Sequence, residues 1–304
     1  MTVLAVDLGG THLRTALLRT PDKLLTHHSI RWPDLGNPLP LMTFVAYLRS
    51  QIENSLIPAS EIEAVGISIA AVVDHAQGCV KIGENVGWQN VPLKKILEKE
   101  LGLPTQVDTD AFCGGLAEAR LGSGVGLEHF FYIVIGSGIG HALVMGGKVW
   151  HGLHGAANVF GHIKVLQPGQ PCYCGGSGCV CQYAAGKGLA RLGQLRSGGT
   201  TSAVTGEKVI RAYRRTTKWA REVVAEAHQQ LAFSLSAAYN LLDLETTILG
   251  GGAVSDVFPD LEQLQSRLEE LVYPEIRPIV LRKSRLGAEA MLLGAGLLAL
   301  DAPK

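Results

Sequence analysis

The chain has 304 residues, of which 47% are hydrophobic and 18% charged, with 27 basic and 27 acidic side chains. This composition excludes a disordered chain, and the balanced charge excludes an overall field that attracts nucleic acid or an anionic membrane. The sequence shows no signal-peptide pattern and no apolar run of the roughly 18 residues that a membrane span needs. We therefore expect a soluble, cytoplasmic protein that binds neither nucleic acid nor a membrane.

Apolar periodicity and glycine turns predict alternating strands and helices along the whole chain. In the first half, strands are expected at residues 4–6, 13–18, 65–73 and 105–107, and helices at residues 42–56, 91–100 and 112–120. In the second half, strands are expected at residues 131–135, 142–145 and 246–249, and helices at residues 216–242, 261–271 and 288–300. A strand, a glycine turn and a second strand occur in this order in both halves. We therefore expect two related α/β domains that face each other across a cleft.

Two glycine turns, Asp7-Leu-Gly-Gly-Thr11 and Gly136-Ser137-Gly138, are candidate phosphate sites. A turn without Cβ atoms lets backbone N–H groups point at phosphate oxygens, and Thr11 or Ser137 can add a hydroxyl. A plain hairpin is the alternative at each turn. Asp7 ends an apolar strand and needs a partner there, such as a water molecule bound to Mg²⁺ near the phosphates.

A cluster of cysteines, Cys172-Tyr-Cys174-Gly-Gly-Ser-Gly-Cys179, is the most specific local pattern in the chain. Three thiolates in a glycine-bent segment, with His162 ten residues before the first of them, form a Cys₃His set for tetrahedral zinc. All four positions are filled, so the zinc is expected to be structural. Cys181 is a spare thiol in this interpretation. A redox protein that uses Cys174 and Cys179 is the alternative, which the spacing and His162 disfavour.

Taken together, these segments resemble the ROK family of bacterial sugar kinases over nearly the whole chain. The resemblance rests on Asp7-Leu-Gly-Gly-Thr11, Asn85-Val-Gly-Trp88, Asp110, Ile135-Gly-Ser-Gly-Ile-Gly140, Gly161-His162, the cysteine cluster, Ile248-Leu-Gly-Gly-Gly252 and Leu293-Gly-Ala-Gly296. It implies an α/β chain with the actin-like ATPase (ribonuclease H-like) fold and two similar domains around a cleft. Residues 1–110 plus 288–304 would form the smaller N-terminal domain, and residues 111–287 the larger C-terminal domain with the zinc knuckle.

The resemblance also implies an activity and a role for each motif. The enzyme would transfer a phosphoryl group from ATP to a hydroxyl, usually the 6-hydroxyl, of a hexose, amino sugar or cyclitol, with Asp110 as the general base. ATP and Mg²⁺ would be held by Asp7, Gly9, Gly10, Thr11, Ser137, Gly138, Gly250, Gly251 and Gly252. The sugar would contact Asn85, Thr109, Asp110, Val159, His162 and Cys181, and structural Zn²⁺ would bind His162, Cys172, Cys174 and Cys179. A homodimer is expected from the same resemblance.

Several positions depart from the family's pattern at the sugar-binding motifs. The family usually has Glu where this chain has Val159 and Cys181, Asn at Thr109, Gly at Asn158 and Pro-Gly at Ala70-Ala71. Each missing acid would accept a hydrogen bond from a hydroxyl at the C1–C2 end of the sugar, worth about 1.5–3 kcal/mol. We therefore expect a substrate altered at that end, such as an N-acyl amino sugar, a glycoside or a cyclitol. A sugar-binding or regulatory protein with weak or no catalysis is the alternative.

Overall fold

The computed structural model describes residues 1–21, 23–198, 203–252 and 261–302. The chain forms two compact units, the first of Met1–Gly126, Lys148–Asn158 and Glu289–Lys304, the second of Leu127–Gly147 and Val159–Ala288. This division differs from the predicted boundary after Asp110, because the helix that begins there packs on the last helix of the chain inside the first unit. Residues 303 and 304 of the predicted first domain lie outside the described residues. None of the described helices is long and apolar enough to cross a membrane.

The first unit is built on one main sheet and one small sheet. Its strands are β1 (Thr2–Leu8), β2 (His12–Thr20), β3 (Lys23–Leu24), β4 (His28–Arg31), β5 (Ile62–Ile69), β6 (Val72–Asp74), β7 (Cys79–Gly83), β8 (Trp88–Val91) and β9 (Thr105–Thr109). The main sheet has the order β3-β2-β1-β5-β9 with β4 beside β2, and β6, β7 and β8 form the small sheet. The helices α1 (Leu41–Glu53), α2 (Leu93–Leu101) and α3 (Asp110–Leu121) belong to this unit.

The pairing within the main sheet brings the ends of three strands together. Strand β1 is antiparallel to β2 and parallel to β5, which is in turn parallel to β9. The register aligns Asp7 with Ser68 and Ser68 with Asp108. Because the carboxyl ends of parallel strands meet at one edge, these polar residues form a row there.

The second unit repeats this pairing. Strand β10 (Phe130–Ile135) is antiparallel to β11 (Ile139–Met145) and parallel to β13 (Thr246–Gly250), which is parallel to β14 (Val280–Lys283). Strand β12 (Lys148–Trp150), between β11 and β13 in the chain, belongs to the first unit. The helices of the second unit are α4 (Cys181–Ala184), α5 (Gly186–Arg196), α6 (Gly206–Arg214), α7 (Lys218–Leu242) and α8 (Leu261–Leu271). The repetition confirms that the two halves are similar α/β folds.

The last helix, α9 (Ala290–Leu300), packs on α3 and β5 through small residues. A Cβ atom at Gly294 would lie 1.9 Å from the carbonyl oxygen of Cys113, and one at Gly66 would lie 1.8 Å from that of Ala295. Both distances are far shorter than a van der Waals contact, and the atoms that a Cβ would meet belong to the backbone, which cannot shift easily. The glycines are therefore required for the close packing that the composition of α9 predicts.

Gly294→Ala is expected to lower the free energy of unfolding by about 3 kcal/mol, because the helix must move away from α3 to relieve the overlap. Gly296→Ala is the matched control in the same helix. The three atoms nearest to its Cβ would all belong to the side chain of Leu18, the first a methyl carbon at 2.6 Å, and a side chain can shift. Denaturant unfolding of both variants checks the prediction, and equal losses for the two would contradict it.

Candidate functional site

Asp7, near the end of β1, is 2% exposed and bound by two side chains of its own unit. Arg14 donates from Nη1 to Oδ2 at 3.1 Å, and the Ser68 hydroxyl donates to Oδ1 at 3.0 Å. Burial raises the pKa of Asp7, while Arg14 and Ser68 act in the opposite direction. A buried acid was expected to need a partner, and Asp7 has one in Arg14, which lies opposite it on the neighbouring strand β2.

The turn after Asp7 connects β1 with β2 and is held by backbone and side-chain contacts. Gly9 donates its N–H to the carbonyl of His12 at 2.9 Å, and the indole of Trp32 donates to the carbonyl of Gly9 at 3.1 Å. The hydroxyl of Thr11 lies 2.9 Å from Nδ1 of His12. A Cβ atom at Gly10 would lie 3.8 Å from the amide nitrogen of Asn85. The predicted phosphate turn and the predicted sugar ligand Asn85 are therefore neighbours.

Asp110 is the first residue of α3, immediately after β9. Its Oδ1 accepts the N–H of Ala111 at 2.7 Å. Burial raises the pKa of Asp110 to about 7, the N–H of Ala111 opposes the rise, and the charge of Asp7 adds to it. A carboxyl with a pKa near neutrality is suited to accept a proton from an alcohol. The structure thus gives Asp110 an acid–base property that the sequence alone did not show.

The residues before Asp110 have structural partners. Thr109 is fully buried, and its hydroxyl donates to the carbonyl of Ala71 at 3.0 Å. Asp108, also buried, lies 2.7 Å from Nε2 of His151, whose ring stacks on that of His75 at 3.8 Å. The pair of Asp108 and His151 was missed in the sequence, because 43 residues separate its members and no local pattern links them. Substrate binding by Thr109 stays a prediction.

The pKa of about 7 for Asp110 predicts the pH dependence of any reaction that uses its carboxylate as a base. We expect kcat/KM for the sugar to fall about tenfold for each pH unit below that value and to level above it. Initial rates between pH 5.5 and 9 at saturating Mg-ATP measure the profile. A profile that stays flat down to pH 5.5 would contradict the assignment.

Stability gives an independent measure of the same pKa. The folded-state pKa of Asp110, about 7, lies above the ordinary value of 3.8. At a pH between these two values, Asp110 is protonated in the folded chain and ionised in the unfolded chain. This stabilising contribution is complete below pH 4 and is lost as the pH rises to about 7, by about 4 kcal/mol, since the two pKa values differ by about three units. Asp110→Asn should remove this part of the pH dependence and make the protein more stable than the wild type at pH 8. Urea unfolding at pH 5 and 8 tests both statements.

In the second unit, the turn between β10 and β11 meets two other glycine-rich segments. The carbonyl of Gly136 accepts the N–H of Gly186, at the start of α5, at 2.8 Å. Gly251 has a φ of +93°, and a Cβ there would lie 2.3 Å from the carbonyl oxygen of Ile135. Ser137 and Gly138 form the tip of the turn, with the Gly138 carbonyl accepting the N–H of Gly136 at 2.9 Å. The predicted nucleotide segments 136–138 and 250–252 are thus adjacent.

The predicted metal ligands converge. One donor atom each from His162, Cys172, Cys174 and Cys179 lies within 4.8 Å of the others. Cys172 Sγ is 3.6 Å from His162 Nδ1, and Cys174 Sγ is 3.6 Å from Cys179 Sγ. Ligands that share one tetrahedral zinc lie about 3.6 Å apart for sulfur and nitrogen and about 3.8 Å apart for two sulfurs. The donor set and its spacing therefore fit zinc.

Two donors that the sequence analysis missed contact these sulfurs. Lys164 Nζ lies 2.9 Å from Cys179 Sγ and 3.7 Å from Cys174 Sγ. The amide nitrogen of Gln182 lies 3.5 Å from Cys172 Sγ. Lys164 follows His162 by only two residues, and this closeness in the sequence was the available signal.

The two residues that replace family acids lie in different surroundings. Val159 is 45% exposed, before a short 3₁₀ helix (Phe160–His162), whereas Cys181 is 4% exposed at the start of α4. Burial raises the pKa of Cys181 to about 12. His141, on β11, accepts the N–H of Phe160 at Nδ1 at 3.0 Å and thereby orients the segment after Val159. Substrate contacts of Val159, His162 and Cys181 stay predictions.

The same strand pairing occurs in both units, and glycine turns follow the first strand of each. The chain therefore has the actin-like ATPase fold. Residues 3–302 match the model of the ROK family, and the chain therefore belongs to the ROK family. A glucokinase of Streptomyces coelicolor is 29% identical, over 97% of this chain and 96% of that protein. A xylose repressor of Caldicellulosiruptor bescii is 24% identical, over 76% of this chain and 60% of the repressor.

A solved structure gives the same fold. The crystal structure of a ROK family glucokinase from Streptomyces griseus, in complex with glucose and AMPPNP, superposes with a TM-score of 0.82. It is 28% identical in sequence, and the match covers 99% of this chain and 100% of that chain. The predicted family and fold class are confirmed.

Proposed function

We propose that the chain is an ATP-dependent carbohydrate kinase that phosphorylates a hydroxyl, the 6-hydroxyl in a hexose, with Asp110 as the general base. The carboxyl of Asp110 carries this proposal, because burial raises its pKa to about 7 at the first residue of α3. Its carboxylate would take the proton of the attacking hydroxyl as the bond to phosphorus forms. The named activity of the glucokinases supports phosphoryl transfer to a sugar.

The rest of phosphoryl transfer is positioning and neutralisation of charge. The N–H groups of the Gly9–Gly10 turn and of the Gly136–Gly138 turn are the proposed phosphate donors, with hydroxyls from Thr11 and Ser137. The segment 250–252 would lie against the nucleotide. Mg²⁺, held near Asp7, would supply positive charge to the phosphates.

We also propose that His162, Cys172, Cys174 and Cys179 hold a structural zinc. The support is the chemistry of the four donors and their spacing. Lys164 is placed to offset charge, since three thiolates around Zn²⁺ leave one net negative charge. Four protein ligands leave no position for a reacting water, so the metal would act on the fold.

The proposed substrate differs from a free hexose at its C1–C2 end. The position of one family acid carries the exposed, apolar Val159, and the position of the other carries the buried Cys181. Asn158, the residue before Val159, offers a side-chain acceptor to the substrate. Its Oδ1 is buried without a hydrogen-bond partner among the described residues. An N–H or O–H of a substituent on the sugar would satisfy that oxygen. An N-acyl amino sugar fits these features, with a glycoside and a cyclitol as the other candidates.

A substrate panel in Mg-ATP, read as ADP released, tests the proposal. We expect kcat/KM for an N-acyl amino sugar, a methyl glycoside or a cyclitol to exceed that for free glucose by about tenfold or more, since each lost acid–hydroxyl bond is worth about 1.5–3 kcal/mol. Glucose as the best substrate would overturn the substrate class alone. Sugar binding without transfer to any acceptor would overturn the kinase and favour the regulatory alternative.

A further inference from the structure

Cys181 lies beside the proposed metal set although it is not one of its four ligands. Its Sγ is 3.8 Å from Cys172 Sγ. Two thiolates that share a tetrahedral zinc, each about 2.3 Å from the metal, lie about 3.8 Å apart. Cys172 Sγ therefore lies at the separation expected for two ligands of one zinc ion from His162 Nδ1 and also from Cys181 Sγ.

The sequence around these thiols is symmetric. Cys172-Tyr-Cys174 and Cys179-Val-Cys181 are two Cys-x-Cys pairs separated by four residues. In the fold, the outer cysteines approach each other at 3.8 Å and the inner cysteines at 3.6 Å. Four thiols in two antiparallel pairs are a complete ligand set for zinc without any histidine.

The surroundings supply hydrogen-bond donors to each of the four sulfurs. Gln182 Nε2 lies 3.5 Å from Cys172 Sγ and 3.8 Å from Cys181 Sγ. Lys164 Nζ donates hydrogen bonds to Cys174 Sγ and Cys179 Sγ. Donors stabilise thiolates, and the ammonium of Lys164 would offset part of the second negative charge that a fourth thiolate brings.

We propose that Cys181 is a reserve ligand of the metal site, which completes a Cys₄ set when His162 does not coordinate. This inference rests on the zinc proposed above. Cys181 lies outside the group of four donors that are mutually within 4.8 Å, so it is not a fifth ligand in this geometry, and the exchange requires the thiols to shift toward one metal position. In the exchange His162 leaves as a neutral ring, and Cys181 releases its proton to solvent as the zinc–sulfur bond forms. His162 then no longer ligates the metal, and the zinc stays bound.

A double-mutant cycle on zinc affinity tests the proposal, with zinc content and competition against a chromophoric chelator as readouts. The variants of the full-length protein are His162→Ala, Cys181→Ser and the two combined. We expect His162→Ala to keep one zinc per chain with an affinity loss below about tenfold, and the combined variant to bind at least about 100-fold more weakly than His162→Ala. His162→Ala with Cys79→Ser, a thiol of the first unit, is the matched control and should equal His162→Ala alone.

Different results would contradict the role of Cys181 and the presence of the zinc site. Equal zinc affinity of His162→Ala and the combined variant would overturn the reserve ligand and leave the Cys₃His site intact. A wild-type protein without zinc would overturn the metal site itself.

A cobalt spectrum covers the case in which the combined variant does not fold. Co²⁺-loaded His162→Ala should show the sulfur-to-cobalt absorption of four thiolates, stronger than the three of the wild type. An absorption equal to or below that of the wild type would overturn the reserve ligand.

Discussion

Asp110→Asn is expected to lower kcat by about 10²–10⁴-fold, the usual contribution of a positioned general base. The amide has the shape of the carboxyl group but does not accept a proton at neutral pH. The KM for the sugar should change little, because an amide still exchanges hydrogen bonds with a hydroxyl. Steady-state rates with the best substrate of the panel, at pH 8 where the wild-type carboxylate is ionised, measure the effect.

The matched control is Asp34→Asn, the same change at an exposed carboxylate of the first unit. It should leave kcat within about twofold, as surface changes away from a site usually do. A structural role for Asp110 would instead lower stability in step with activity. The raised pKa predicts the opposite, with the amide variant more stable than the wild type above pH 7. Full activity of Asp110→Asn would remove the base from the mechanism.

Local patterns predicted most of the elements that contain the candidate site. Apolar runs fixed β1, β2, β5, β9, β10 and β13, and all overlap the expected ranges. One predicted strand, residues 65–73, is divided in the structure between β5, which ends at Ile69, and β6. The short strands β7 and β8 and the helices α4, α5 and α6 were not predicted. These segments are short, from 4 residues in β8 and α4 to 11 in α5, so pairing and burial in the folded chain decide their structure.

The contacts that tune the site depend on the fold. Arg14 reaches Asp7 because the hairpin register places them opposite each other, and Ser68 because β5 is parallel to β1. His151 meets Asp108 across 43 residues of sequence. Such pairs follow from strand order, which local propensity does not contain. The raised pKa of Asp110 likewise results from its burial in the folded chain and from the charge of Asp7, so the sequence could name the base but not its proton affinity.

The zinc set could be predicted because its three cysteines are close together in the sequence. Of the changes proposed for this protein, loss of the zinc should lower the stability most. Cys179 is fully buried in the core of the second unit, beside Val180 and Tyr183. Cys179→Ser is expected to abolish stoichiometric zinc and to lower the stability of the second unit by about 4 kcal/mol or more. Metal analysis and thermal unfolding measure both, and a strong chelator should reproduce the loss in the wild type.

The second unit should respond alone, because all four ligands belong to it. Hydrogen exchange should become fast in β10, β13 and α4 of the variant and stay slow in β1 and β5. Cys79→Ser, a change to a half-buried thiol on β7, is the control and should keep both zinc and the melting temperature. An unchanged melting temperature after loss of the metal would mean that packing around Val180 and Tyr183 holds the knuckle without zinc. The Cys₃His set would then contribute nothing to the fold, and a structural role for the metal would be wrong.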